Sequence, residues 1–435
     1  MKRPVIIGLL IVALALVCVG IGTVAFFTFN STFTANNPFD RRNISSQVEE
    51  NKTLKVDATK PVTLKVEDAA GGVTVTGADV ANVQVKAVKT AYDSTQARAD
   101  AELKTIKYTI EQTGNVITLK YELPKSMNFN NKVDTVDFIV TVPTETSVDI
   151  NSSTGNVDVS GLQGQVAIEN RFGDITVGKV DGALQAKTNS GSVDVTSVAA
   201  GTGNINLNSG FGTIAMVQAS GADVQVESSS GALHLKNVRA SGDMGLSSDF
   251  GTVKFDSGSA ASLTASTKSG AVELTSVNIS GTLAVRDDFG EINLEQVHAQ
   301  SYDLQTNSGS ITVDGAQGTV KADTGFGNIT IQNAENTTLT LNTKSGAIHF
   351  TGSLGEGPHT FHSDFGEVTL TIPADSALNV DFQTDFGKVR SDLPVTMTLT
   401  GDIDQAHQTG TINGGGSQLS ASTKSGDITV KASGS

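Results

Sequence analysis

The sequence contains no tryptophan, four tyrosines, eight prolines and a single cysteine. Each shortage excludes something. Cys18 alone cannot form an intrachain disulfide, so burial and hydrogen bonding must hold the fold. Without Trp and with little Tyr, the usual stacking platforms for sugars are missing. Positive charge is also short, since 30 Lys and Arg stand against 45 Asp and Glu, a net charge of −15. Such a chain repels phosphate backbones and anionic headgroups, so no nucleic-acid partner is expected. Helix formers are sparse, whereas 45 glycines accompany abundant Ser, Thr, Val and Asn. That composition suits many short strands joined by tight turns.

One uncharged run stands apart. After Lys2 and Arg3 nothing charged occurs from Pro4 to Asn30, and Val5 to Phe29 is dense in apolar residues. About 25 residues suffice to cross a bilayer core of roughly 30 Å. The expectation is a single-pass transmembrane anchor over residues 1–29, with the lipid bilayer as partner of residues 4–29; cleavage after Ala35 is the alternative. Positive charge on the short N-terminal side predicts a cytoplasmic N-terminus and an extracellular remainder on the cell membrane. Cys18 follows Val17 rather than a small residue, which argues for a membrane-buried thiol over a lipoprotein site. Residues 30–50 lack periodicity and read as a polar linker.

Beyond residue 150 the chain repeats. Ser-Gly or Phe-Gly, followed by alternating aliphatic residues, recurs with Gly at 155, 173, 191, 212, 231, 251, 270, 290, 309, 327, 346, 366, 387 and 426. Successive gaps are 18–21 residues except for a final 39. The residue two after each glycine is aliphatic throughout, and four after only Ser391 breaks the apolar rule. Apolar residues also stand seven and five before the glycine, as Leu263 and Ala265 or Leu339 and Leu341, and often seven after it, as Val180 and Val277. Each copy therefore supplies two short strands with one apolar face, which only stacking can bury. The glycine fits a corner that needs positive φ or close backbone approach.

Phe-Gly and Ser-Gly copies alternate from Gly173 to Gly366, so a coil could hold one copy or two. Charge decides between them. Two residues before glycine, Phe-Gly copies mostly carry Asp (249, 288, 364, 385), whereas Ser-Gly copies mostly carry Lys or Asn (189, 268, 307, 344, 424). One copy per coil stacks opposite signs about 4.8 Å apart and sets each Phe over a small Ser. Two per coil would pile like on like. The fold expected is all-β: a parallel β-solenoid, or β-helix, of 14–15 coils over residues 151–435, with Phe250 and Phe289 two strand spacings apart. Residues 51–150 are expected to form a small β-rich cap containing one helix at 94–105.

This layout resembles the putative-adhesin family of bacterial envelope proteins. The matching features are Val136 to Pro143, then Thr154-Gly155-Asn156-Val157-Asp158-Val159, then the Ser-Gly and Phe-Gly repeats, together covering roughly residues 60–430. The resemblance implies adhesion and carries no catalytic residues with it.

Searches for chemistry yield no catalytic, cofactor-binding or metal site. Asp-Phe-Gly occurs four times on the structural period, so its likeness to a kinase magnesium loop is coincidental. His359 and His362, three apart on a strand, face opposite sides and give no zinc pair. The Gly414-Gly415-Gly416 run lacks the Asp spacing of calcium-binding nonapeptide repeats and reads as a loop. Asp158 and Asp194 lie two coils apart with Thr176 between, poorly placed for paired-carboxylate hydrolysis. The expected function is a non-enzymatic, membrane-anchored cell-surface protein whose solenoid meets an unknown surface ligand or envelope protein. The alternatives are a partner in envelope-stress signalling and, behind it, a glycan-active β-helix enzyme.

Overall fold

The computed structural model describes residues 44–123, 132–397 and 407–433. Among the described residues no helix is long and apolar enough to cross a membrane. The anchor expected over residues 4–29 lies outside them.

The coil of Gly191 shows how sequence becomes rung. Strand Leu184–Ser190 turns Leu184, Ala186 and Thr188 inward, and strand Val193–Ala199 does the same with Val193, Val195 and Val198. Each inward residue meets its equivalent above and below. Leu184 lies between Val166 and Ile205, and Val193 between Ile175 and Ile214, all in parallel register. The aliphatic rows therefore become continuous columns, and their burial closes one elongated core. Inward residues four and seven after the glycine are three apart, an odd step for a strand. The cause is a left-handed residue at the sixth position, for example Ser197 at φ 58°, Asn237 at 54° and Ser276 at 55°. That kink turns the chain enough for Val198, Val238 and Val277 to point inward.

One copy makes one coil, as the charges predicted. Phe250 lies opposite Ser269 and Phe211 opposite Ser190 and Ser230. The corner glycines are required by approach more than by φ. A Cβ at Gly251 would run into the Gly231 carbonyl, and each of the other repeat glycines faces the glycine carbonyl of its neighbouring coil in the same way.

Chain order and spatial order part company at both ends. The unbroken stack, from Gly155 to Gly366, makes about eleven turns, fewer than the 14–15 consecutive coils expected. One further rung lies before it in the stack: Val62–Asp68 and Val73–Ala78 pair with Thr146–Thr154 and Val157–Leu162, so the stack begins inside the segment expected to be only cap. At the far end the last rung in sequence is not the last in space. Ser417–Ser425 pairs with His359–Phe365 on one side and Leu378–Phe386 on the other, and Ile428–Ser433 sits likewise between Val368–Pro373 and Val389–Ser391. The final segment is thus inserted between two coils that precede it.

Both open edges are covered. Val116–Tyr121 and Thr135–Pro143 lie beneath the first rung, and Asn82–Asp93 and Ile44–Lys55 extend that cover antiparallel. The strand Ile44–Lys55 begins within the stretch expected to be linker. Its side chains are almost all exposed, so no apolar alternation marks it. The cap helix, Gln96–Leu103, falls inside the expected 94–105 and is capped by Thr95, whose Oγ1 accepts from the Arg98 amide. At the opposite end His407–Ile412 pairs antiparallel with Leu378–Phe386 and covers the outermost strand.

Candidate interaction surface

Among the described residues no group of three or more His, Cys, Asp or Glu is placed to hold a metal ion. His359 is fully buried, with Nε2 3.2 Å from the Gly355 carbonyl, and burial holds its pKa down. His362 faces outward to Ser422 at 2.8 Å, so the two rings lie on opposite faces, as three-residue spacing on a strand requires. Asp158 and Asp194 flank Thr176 in register, one coil to either side. Gly414 to Gly416 form the loop between His407–Ile412 and Ser417–Ser425. Among the described residues the surface carries open polar dents. One, of about 400 Å3, is lined by Gln225, Glu227, Ser247, Thr264 and Ser266. Another, of about 390 Å3, includes Asp323, Lys344, His362 and Asp364. Its Asp364 is already engaged by Lys424 at 2.6 Å, which keeps that carboxyl below the usual carboxylate range.

What the coils do build is an edge, and its foundation is buried hydroxyls. Three residues before nearly every corner glycine stands a buried Ser, Thr or Asn. Except at Ser152, its side chain donates to the glycine carbonyl of the neighbouring coil: Thr188 to Gly173 at 3.2 Å, Ser209 to Gly191 at 2.9 Å, Thr343 to Gly327 at 3.0 Å. The column satisfies carbonyls that the corner would otherwise leave buried and unpaired. Asp287 and Asp68 occupy the same position and lack a hydroxyl. The Asp287 Oδ2 and Asp68 Oδ2 atoms are buried without a partner. Burial pushes the Asp287 carboxyl up to about 6 and Asp68 up to about 7.

Pinned on that column, the residue just before glycine projects outward. In alternate coils it is Phe172, Phe211, Phe250, Phe289, Phe326, Phe365 and Phe386, exposed by 53–80%. Between them in space stand Ser190, Ser230, Ser269, Ser308, Ser345 and Ser425. Gly366 and Gly387 are both Phe-Gly in sequence, which breaks the alternation. The inserted segment restores it, since Ser425 lies between Phe365 and Phe386. Seven rings therefore follow one line, each two strand spacings, roughly 9.6 Å, from the next. Beside them the expected charge alternation is present: Lys268 pairs with Asp249 at 2.8 Å and Asn307 donates to Asp288 at 2.9 Å. Exposed ion pairs of this kind contribute little stability, and exposed rings contribute less, so the edge is not explained by folding.

Sequence reasoning placed these phenylalanines on alternate coils without recognising them as a surface. The signal was available: aromatic residues at a fixed phase just outside the inward rows have no core to enter.

The chain belongs to the Toastrack DUF4097 family, whose model matches residues 62–276 and 252–431. It is similar to the crystal structure of a proposed cell adhesion protein from Clostridium sporogenes, at 9% identity and a TM-score of 0.18, covering 89% of this chain and 100% of that one. It is also similar to a proposed adhesin from Bacteroides fragilis, at 15% identity and a TM-score of 0.28, covering 66% of this chain and 97% of that one. No curated protein matches the sequence.

Proposed function

We propose that this Toastrack-family chain is a non-enzymatic cell-surface protein, held to the membrane by residues 4–29, whose solenoid displays an aromatic edge for adhesion or envelope contact. The observation that carries the reading is the line of seven exposed phenylalanines. Monomeric soluble proteins rarely expose contiguous apolar patches without a binding role. The rod holds the rings on buried columns of side chains, so the edge is rigid before any partner arrives. Family membership and the adhesion-related names of similar structures agree with a surface role. The open dents and the carboxylates separated by neutral neighbours support a non-enzymatic chain.

Two measurements on whole cells test the proposal. Protease added outside should digest the solenoid while the chain fractionates with membranes. Replacing Phe211, Phe250 and Phe289 by Ser should abolish retention on envelope or target-cell material without changing surface display. A chain protected from external protease, or retention unaffected by the three substitutions, contradicts the proposal.

A further inference from the structure

We propose that the partner of the aromatic edge is a second copy of this chain, two solenoids lying side by side with their phenylalanine lines interdigitated. The inference rests on the reading that this edge is a contact surface, and names what it contacts.

The argument begins with period. A line of rings recurring every second coil asks its partner to present a receptor at the same interval over the whole length of the stack. Another copy meets that requirement by construction, whatever twist the coils impose. The receptor is also present: between successive rings lies a Ser-Gly step, a small side chain beside a residue without one. With the two copies parallel and one shifted along the other by one coil, each Phe of one copy lies over a Ser-Gly step of the other, and each copy both gives and receives rings.

Charge independently favours the same offset. Phe-Gly coils carry Asp249, Asp288 and Asp364 beside the ring, and Ser-Gly coils carry Lys268, Lys344 and Lys424 at the same position. Seating Phe over Ser therefore sets the acidic residues of one copy against the basic residues of the other. Ring on ring would set Asp against Asp. A net charge of −15 opposes close approach elsewhere, so only a locally balanced strip permits it.

Area is adequate. Seven rings exposed by 53–80%, at about 200 Å2 for a whole side chain, offer on the order of 800 Å2 per copy, close to what a standard interface buries per partner.

The test is analytical ultracentrifugation of the full chain in a non-denaturing detergent across the micromolar range. The wild type should pass reversibly from monomer to dimer. Changing Phe211, Phe250 and Phe289 to Ser should raise the dissociation constant roughly 100-fold or more. Ser already occupies this position in alternate coils, so the variant retains the fold, which an unchanged melting temperature verifies. Placing Phe in the dents, as S269F with S308F, separates interdigitation from stickiness: filled dents weaken a zipper, whereas added apolar surface strengthens non-specific association. A monomer at every concentration, a dimer indifferent to the Phe variants, or stronger association of S269F/S308F each overturns the proposal. If the wild type is monomeric while cells still need the three phenylalanines for retention, self-pairing fails and the surface function stands.

Discussion

Asp287 shows how much one position in this fold is asked to do. Its neighbours along the buried column are Thr267 and Thr306, which donate to Gly251 and Gly290 at 3.3 Å each. Asp287 Oδ1 accepts from the Phe289 amide, while Oδ2 and the Gly270 carbonyl crowd the same point beside Gly290. Oδ2 is buried without a partner, so the charged form is costly there and a proton on the carboxyl relieves that cost. The folded pKa, about 6, lies above the ordinary value of 3.8. The folded state therefore binds more protons than the unfolded state between these values, and stability must fall as pH rises through that window. Asp68, raised to about 7, extends the fall toward neutrality. Replacing Asp287 with Thr should raise stability at pH 8 by about 1 kcal/mol, one net buried hydrogen bond. It should also flatten urea midpoints between pH 4 and pH 6, within the range set by the two pKa values. A variant less stable than wild type at pH 8 contradicts the assignment. The corner glycine makes an opposite prediction. Gly251→Ala pushes a methyl into the Gly231 carbonyl, and overpacking against backbone should cost about 1–3 kcal/mol or more.

At the scale of the element, the inward rows were plain in the sequence and the devices between them were not. Val193 and Val195 announce themselves by alternation, and both are buried. Thr188 alternates with them equally well, yet a threonine between polar residues reads as solvent-facing until its glycine acceptor is known. Ser197, Asn237 and Ser276 take left-handed backbone with nothing in their chemistry beyond small size or polarity to mark it. The strand Ile44–Lys55 escapes notice for a related reason: it covers an edge instead of filling a core, so it carries no burial pattern. The C-terminal insertion did leave two traces, the 39-residue gap and two successive Phe-Gly copies. Their meaning depends on pairing between segments far apart in sequence, which periodicity does not report. Removing residues 407–433 should expose the facing edges of His359–Phe365 and Leu378–Phe386. Coils in such stacks depend on their immediate neighbours, so hydrogen exchange and limited proteolysis should reach back to about residue 359 and leave the coils from Gly155 to Gly327 protected. Loss of protection throughout contradicts nearest-neighbour stability.

The described residues form a stack whose physical order differs from its chain order, and its outer edge follows the physical order. Phenylalanine and serine alternate in space because Ser425 enters between Phe365 and Phe386. A sequential stack would bring those two rings side by side. The function proposed from that edge depends on one copy per coil and on the insertion together. The insertion is tested by paired cysteines at outward positions, with Cys18 replaced by Ser. Thr360 lies opposite Ser420, and Ser420 opposite Asp381. Neighbouring strands are about 4.8 Å apart, within disulfide reach, and two spacings exceed it. Peptide mass mapping after mild oxidation should find a disulfide in T360C/S420C and none in T360C/D381C, and the reverse pattern would contradict the stacking order on which the account stands.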